Sequence, residues 1–296
     1  MPMRHIILEM MRKNSQSAQR RYGIVAGMSI VLDSSVVLDE VNRFHVKLAN
    51  GVSFWAPYLA NHYNHSQDPN IPRGLGKASS DEIEKSANYI VSLFPNASSE
   101  EIRQKLIDGS LAQKEFNYKG VDCSGFAYHV MHALYQKVLG KELMDDLSVP
   151  KDDVLNGAQK FEEWKSAYLL SNQEAEELQD DVPMRWVVET FKRKPVNLCR
   201  AAGLMSDFSS IEVPVSSMQI GDLVDLFSRE GYGPHLAIVC SLDDGVVSLA
   251  HSGRKDPSDT GGVLIEEVPF DKLKIDTSKL QVPRDFRAIR RLKSFK

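Results

Sequence analysis

The order of secondary-structure patterns along the chain predicts an α+β fold, with helices packed on an antiparallel sheet. Helical patterns dominate residues 79–194, and short apolar runs typical of strands follow from residue 211 onward. When helices and strands are segregated along a chain in this way, the helices cover one side of an antiparallel sheet. The chain has 296 residues, of which 42% are hydrophobic, and this is enough to bury a sizeable core.

A small β-rich unit is expected at residues 1–75, before the helices begin. The tract 24–58 is rich in Val, Ile, Phe and Trp, and its Asn50-Gly51 dipeptide is the strongest short signal for a hairpin. Residues 68–76 contain Pro and Gly at the density of a linker. A second domain is therefore expected to span residues 76–296.

Two Ser-x-x-Glu patterns mark the starts of the first predicted helices. In such a capping box the serine hydroxyl and the glutamate carboxylate satisfy N–H groups that the helix leaves unpaired. Gly109 is placed to end the second helix, because glycine adopts the left-handed conformation common at that position. The two pairs are Ser79 with Glu82 and Ser98 with Glu101.

The remainder of the chain predicts one buried helix, a charged helical tract and a set of strands. Residues 126–139 are apolar and directly follow Cys123, and residues 152–194 are charged and largely helical in pattern. The strands are predicted from runs rich in apolar, β-branched and aromatic residues. These runs are residues 223–227, 236–240, 246–250, 263–268 and 286–292.

Charge and hydropathy exclude several classes of partner. The formal net charge of −4 gives no electrostatic reason to expect nucleic acid. The basic residues between Arg284 and Lys296 are interpreted as the solvated face of a last strand. No stretch approaches the ~20 apolar residues that a membrane-spanning helix needs.

Cys123, Cys199 and Cys240 are the only cysteines of the chain. An odd and sparse set does not form a disulfide framework, and it fits one working thiol with two structural ones. No phosphate-binding or dinucleotide-binding glycine pattern is present. His, Cys, Asp and Glu do not form a set at ligand spacing, so neither a metal nor a cofactor is expected.

Cys123 and two histidines carry the pattern of a thiol-based hydrolase. Cys123 opens the apolar helix, where the positive end of the helix dipole favours a thiolate. His235 begins one predicted strand and His251 ends the next, so antiparallel pairing would set the two imidazoles side by side. One imidazole can then take the proton of the thiol, while a second polar group fixes its tautomer.

These motifs together resemble the NlpC family of papain-like cysteine peptidases. The resemblance rests on Asp-Cys-Ser-Gly-Phe at residues 122–126, Gly-Asp-Leu at 221–223, the strand that begins at His235 and the Ala-His pair at 250–251. It covers roughly residues 115–296. It implies a papain-like fold with Cys123 as nucleophile, His235 as base and His251 as the third polar residue.

The resemblance also implies a substrate, peptidoglycan or muropeptides of the bacterial cell wall, in which the family cleaves amide bonds of stem peptides. Relative to the family pattern, residues 141–210 are a helical insertion. The family has a tyrosine upstream of the cysteine that helps to bind the oxyanion, and Tyr118 is the nearest candidate. Asp122 and Ser124, beside the nucleophile, are further oxyanion or substrate-binding candidates, with helix capping and turn geometry as their expected structural roles.

Two other functions remain compatible with the sequence. One is a thiol amidase or acyltransferase that acts on another substrate, and the other is a non-catalytic module that binds the wall. Without a clear signal peptide the default expectation is a cytoplasmic protein, with export to the cell wall as the alternative.

Overall fold

The computed structural model describes residues 30–59, 75–150, 181–227, 234–254, 261–270 and 286–296. Within these residues the protein is mixed helix and sheet, as the sequence predicts. The strands are β1 (His45–Lys47), β2 (Ser53–Trp55), β3 (Ser148–Pro150), β4 (Asp181–Pro183), β5 (Ser210–Glu212), β6 (Leu223–Phe227), β7 (Pro234–Asp243), β8 (Val246–Gly253), β9 (Gly262–Pro269) and β10 (Phe286–Leu292).

Six of these strands form one antiparallel sheet in the order β5-β10-β6-β7-β8-β9. The five predicted runs all lie in this sheet, so the prediction of an antiparallel sheet from residue 211 onward is confirmed. The turn between β7 and β8 contains Asp244 and Gly245, both with positive φ. A tight turn there makes β7 and β8 direct neighbours, which is what the placement of the two histidines required.

The helices precede most of the sheet in sequence, and the longest apolar one, α4, packs across β7 and β8. A π-helical turn at Tyr135–Leu139 extends α4. The helices are α1 (Ser34–Asn42), α2 (Ser80–Leu93), α3 (Ser99–Ile107), α4 (Cys123–Leu134), α5 (Met184–Phe191), α6 (Pro195–Leu198) and α7 (Ala201–Met205).

Both predicted capping boxes are present at the starts of α2 and α3. The side chain of Ser79 accepts from the N–H of Glu82, whose carboxylate in turn accepts from the N–H of Ser79 at 2.9 Å. The same reciprocal bonds join Ser98 and Glu101. After α3, Gly109 has φ +69°, as expected for a glycine just beyond a helix end.

The two faces of the sheet bury different cores. Along β7, Leu236, Ile238 and Cys240 pack into the large core shared with the helices. The alternating residues Ala237 and Val239 pack into a smaller core on the opposite face. This follows from the two-residue period of a strand, and it explains why β7 is continuously apolar from Leu236 to Cys240.

The N-terminal prediction is right for the hairpin and wrong for the segment before it. β1 and β2 pair through the predicted Asn50-Gly51 turn, with Gly51 at φ +84°. Residues 34–42, expected to be β-rich, form helix α1 instead. The side chain of Asp33 caps α1, and Val37 and Val41, four residues apart, bury one face of it.

The N-terminal elements share the core of the helices rather than a core of their own. Val37, Val41 and Phe44 belong to the same apolar cluster as Phe126 of α4. The rings of Phe44 and Phe126 meet edge to face, with centroids 5.2 Å apart. Helix α1 and Phe44, which leads into the hairpin, thus pack directly onto the helix that carries Cys123.

The predicted insertion at residues 141–210 contains strands as well as helices. The described part has α5, which lies in the predicted charged tract 152–194, and α6 and α7 after it, but also the short antiparallel pair of β3 with β4. Residues 151–180 of the predicted tract lie outside the described residues. Val149 and Val182 face each other in the strand pair and are fully buried in the large core. Both strands of the pair are therefore anchored to the body of the protein.

The basic run that closes the chain is solvated only in part: Lys293 and Lys296 are exposed, as the sequence interpretation expected, but two arginines are not. Arg290 and Arg291 are each only 9% exposed. Arg290 pairs with Asp207, and Arg291 donates to both carboxylate oxygens of Asp222, at 2.8 and 2.9 Å. The partners lie far away in sequence, which is why a charge count along the chain misses them.

Among the residues that the structure describes, no helix combines the length and the apolarity needed to cross a bilayer.

Candidate active site

Cys123 is the first residue of α4, and a buried aspartate caps this helix. The Asp122 carboxylate accepts from the N–H of Gly125 at 2.5 Å, the role expected of Asp122 as an N-cap. Gly125 packs tightly: a Cβ there would lie 3.1 Å from Cδ of Lys77 and 3.2 Å from Oδ1 of Asp122. Three residues of the Asp-Cys-Ser-Gly motif thus have a structural reason. Asp122 caps the helix, Cys123 begins it, and Gly125 leaves room for the side chain of Lys77.

The sulfur of Cys123 lies against the beginning of β7. The backbone N–H of Leu236 lies near enough to this sulfur to lower the pKa of its thiol, and Leu236 directly follows His235 on the strand. Cys123 and His235 are thereby brought to the same end of α4 and β7 from positions more than a hundred residues apart.

His235 and His251 are in direct contact. Nε2 of His235 lies 2.9 Å from Nδ1 of His251, and the two rings are nearly perpendicular at 85°. Gly253 permits this pair, because a Cβ there would lie 3.0 Å from Cε1 of His235 and 3.2 Å from Nδ1 of His251. The prediction that antiparallel pairing sets these imidazoles side by side is confirmed.

Glu266 extends the pair, and the sequence analysis did not find it. Oε1 of Glu266, on β9, lies 3.6 Å from Nε2 of His251. A carboxylate there favours a proton on Nε2 of His251, which makes Nδ1 of that ring an acceptor for the Nε2–H of His235. His235 then carries its lone pair on Nδ1, the tautomer that a base for Cys123 needs.

The pKa of the Cys123 thiol is opposite in direction to the sequence expectation. Burial, the largest cause, and the carboxylate of Asp122 raise this pKa, and the net value is about 11. The N–H of Leu236, the charge of Lys77 and the N–H of Ser124 lower it, but by less. Burial thus outweighs the dipole of α4, so the sulfur is a thiol at neutral pH and needs a base in order to react.

A buried lysine lies behind Cys123. Nζ of Lys77 donates to Oδ1 of Asp122 at 2.9 Å and to the hydroxyl of Ser124 at 2.6 Å. The side chains of Lys77 and Asp122 are 2% and 3% exposed, so this ion pair is removed from water. Ser124, expected to serve turn geometry or substrate, instead completes this network by donating to Asp122.

No local signal in the sequence marks Lys77, because it lies 45 residues before Asp122 in a segment read as the end of a linker. Its place in the fold comes from backbone pairing: Lys77 forms an antiparallel bridge with Val121. The N–H of Asp122 donates to the carbonyl of Gly76 at 2.8 Å. Contacts of this kind appear only when the chain is folded.

Tyr118, the oxyanion candidate, lies in the loop between α3 and α4 with φ +56°. Its ring packs on Gly109, where a Cβ would lie 2.9 Å from Cε1 of the tyrosine. A different tyrosine lies beside the loop that leads to the nucleophile: Tyr58 forms a parallel bridge with Val121. Counting residues back from the cysteine could not find Tyr58, because more than sixty residues separate the two.

The histidines of α4 have partners other than a metal. Nε2 of His129 lies 3.1 Å from the carbonyl oxygen of Lys77, and the ring of His132 stacks on Tyr128. The described residues contain no group of three His, Cys, Asp or Glu side chains that could hold a metal ion. Cys199 and Cys240 are buried and free, consistent with the structural roles expected of them.

Comparison of the chain with models of protein families, with curated proteins and with solved structures finds no match in any of the three.

Proposed function

We propose that the protein is a papain-like cysteine hydrolase of the NlpC type, which cleaves amide bonds in peptidoglycan stem peptides through an acyl-enzyme on Cys123. One observation carries the proposal: the sulfur at the head of α4 meets the strand that begins at His235, and His235 is aligned by His251 and Glu266. A nucleophile, a base and an orienting group in this order are the minimum that acyl transfer requires.

The raised pKa of the thiol assigns His235 the work of a general base. Nδ1 of His235 takes the proton as the sulfur of Cys123 attacks the carbonyl carbon of the scissile amide. The backbone N–H of Cys123 is one of the first four in its helix and has no intrahelical acceptor, so it can donate to the oxyanion. The C–N bond then breaks as the histidinium returns the proton to the leaving amine.

Water completes the cycle. His235 accepts a proton from the water that attacks the thioester, and the carboxylic acid product leaves as the thiol is restored. His251 keeps the imidazole of His235 in one tautomer throughout, and Glu266 stabilises the positive charge that the pair carries between the steps.

The substrate class rests on the resemblance of the motifs, whereas the reaction type rests on the site. A peptide amide is a demanding substrate for an unactivated thiol, which is consistent with the aligned base. For a cytoplasmic protein the substrates would be imported wall fragments, and for an exported one the wall itself.

The experiment that tests the proposal is digestion of purified muropeptides, with the products identified by mass spectrometry. We expect wild-type protein to release peptide fragments and Cys123→Ala to release none while it unfolds at the same urea concentration as wild type. Cys240→Ala is the matched control, because it removes a buried cysteine of the sheet and should leave cleavage intact. Full cleavage by Cys123→Ala would contradict the proposal.

A further inference from the structure

Arg254, at the edge of the candidate active site, forms no ion pair with a carboxylate of the described residues. It directly follows Gly253, whose backbone lies close to the rings of His235 and His251. Its Nε is buried and has no hydrogen-bond partner among the described residues. A buried guanidinium nitrogen without an acceptor costs free energy, so an arginine in this state needs an explanation.

Several other buried or half-buried arginines of the described residues are paired with carboxylates. On the same sheet, β10 contributes two arginines that each pair with an aspartate. In helix α3, the guanidinium of Arg103 lies 3.0 Å from a carboxylate oxygen of Glu100, although its Nε, like that of Arg254, has no hydrogen-bond partner in the described part of the chain. Arg254 differs from these three in having no carboxylate partner among the described residues, and it directly follows the segment that holds His251 and Gly253.

The stem of Arg254 is held in place on two sides. Its guanidinium carbon lies 5.8 Å from the centroid of the Tyr58 ring, within the range of a cation–π contact. Gly261, with φ +70°, closes the other side: a Cβ there would lie 2.6 Å from Cγ of Arg254 and 2.9 Å from Cβ of Tyr58. Arg103 donates to the carbonyl of Gly261 and so fixes that residue in turn.

Hydrogen bonds connect the segment before Arg254 to the loop that precedes Cys123. The hydroxyl of Ser252 donates to the carbonyl of Val121 at 2.6 Å, two residues before Cys123. The N–H of Val121 donates to the carbonyl of Pro57 at 3.0 Å, which fixes the neighbouring Tyr58 beside the same loop. Arg254 and the sulfur therefore belong to one connected unit.

We propose that Arg254 binds a carboxylate of the substrate close to the scissile amide, so that the enzyme selects acidic peptides. The inference rests on the proposed function and narrows its substrate class. An arginine whose side chain is already packed, and which pairs with no carboxylate of the described residues, loses little entropy on binding one. Its planar fork matches a carboxylate with two parallel hydrogen bonds.

The test compares three synthetic peptides with wild type and two variants. The peptides are L-Ala-γ-D-Glu-L-Lys-D-Ala, the same peptide with the α-carboxylate of γ-D-Glu as a carboxamide, and the same peptide with a C-terminal carboxamide. For wild type, one of the two amidations should lower kcat/KM by about tenfold or more, since it removes a charge-assisted hydrogen bond. Arg254→Gln should abolish this preference.

Arg193→Gln is the control, because it removes the same charge from an exposed position. It should keep the preference of wild type. The inference is overturned if neither amidation lowers kcat/KM for wild type, or if Arg254→Gln discriminates as strongly as wild type does.

Binding separates this inference from the proposed hydrolysis. Isothermal titration of the three peptides into Cys123→Ala, and into Cys123→Ala with Arg254→Gln, measures recognition without turnover. A preference for the free carboxylate that depends on Arg254 supports the inference even where wild type cleaves none of the peptides, an outcome that would count against the hydrolase alone. Equal affinity of Cys123→Ala for all three peptides would overturn it.

Discussion

Two aspartates, Asp122 and Asp222, are each buried against a cation, but they use their carboxylate oxygens differently. Both oxygens of Asp222 accept from Arg291, at 2.8 and 2.9 Å. Oδ1 of Asp122 accepts from three donors, among them Nζ of Lys77 at 2.9 Å. Its Oδ2 is buried and has no partner within the described residues.

The two ion pairs differ in role. Arg291 with Asp222 stabilises the fold, whereas Lys77 with Asp122 lies beside Cys123. Arg291 and Asp222 join β10 to the start of β6 and satisfy each other fully. Lys77 and Asp122 lie behind Cys123, the proposed nucleophile, where an unsatisfied carboxylate oxygen and a buried charge are tolerated although they cost stability. Buried polar groups that cost stability in this way are expected where the position of a reacting atom matters more than the stability of its surroundings.

Removing Lys77 should have the largest effect. Lys77→Met leaves the Asp122 charge buried and unpaired, so we expect the free energy of unfolding to fall by about 3 to 5 kcal/mol in urea denaturation. The pKa of Cys123 should also rise, because Lys77 lowers it. Alkylation of the thiol by iodoacetamide at pH 8 should therefore be slower than in wild type.

The double variant Lys77→Met/Asp122→Asn is the control for that experiment. It removes both charges, so most of the lost stability and the alkylation rate of wild type should return. A double variant as impaired as Lys77→Met would show that Lys77 acts through packing rather than through its charge.

Breaking the second pair should affect stability alone. Arg291→Met leaves Asp222 unpaired, and we expect a loss of about 2 to 3 kcal/mol, less than for Lys77 because the arginine side chain keeps more contact with water. The kcat on muropeptides, measured where the variant is fully folded, should equal that of wild type. A fall in kcat beyond twofold would contradict the separation of the two pairs.

Glu266 should affect rate and leave stability nearly unchanged. Glu266→Gln removes the charge that favours a proton on Nε2 of His251, so kcat should fall by about tenfold, or ~1.4 kcal/mol in the barrier. The neighbouring Glu267→Gln, on the exposed face of β9, is the matched control and should leave kcat unchanged. Equal rates for the two variants would remove Glu266 from the site.

The smallest effect concerns the pH dependence of stability. Burial lowers the pKa of His129 below the ordinary value of 6.5 for a histidine, and the hydrogen bond to the carbonyl of Lys77 only partly offsets this. The unfolded chain therefore takes up the proton first as the pH falls, so His129 destabilises the fold progressively below about pH 6.5. His129→Gln should lose less stability than wild type between pH 7.5 and pH 5.5 in urea titrations, and an identical loss would contradict this assignment.

Local patterns were sufficient for the parts of the fold that local interactions determine. The capping boxes, the Asn50-Gly51 hairpin and the runs of the sheet are each set by neighbouring residues, and the structure confirms them. Helix α1 was missed because its valines favour strands in isolation. The cap at Asp33 and burial against Phe126 outweigh that preference.

The site was predictable where chemistry leaves a short motif, and not where it depends on distant partners. The contact of His235 with His251 followed from two strand ends and one turn. Lys77, Glu266 and Arg254 have no motif, since each acquires its environment from segments that meet only in the folded chain. The direction of the thiol pKa was missed for the same reason: burial, which decides it, is a property of the fold.

The most direct measurement of the central claim is the mass of the protein during turnover. Wild type is mixed with muropeptides, quenched in acid within seconds, and digested for peptide mapping. The account predicts an added mass equal to the acyl part of the substrate, carried by Cys123 and absent from Cys123→Ala. Turnover with Cys123 unmodified in every quenched sample, or an acyl group on Cys199 or Cys240 instead, would contradict it.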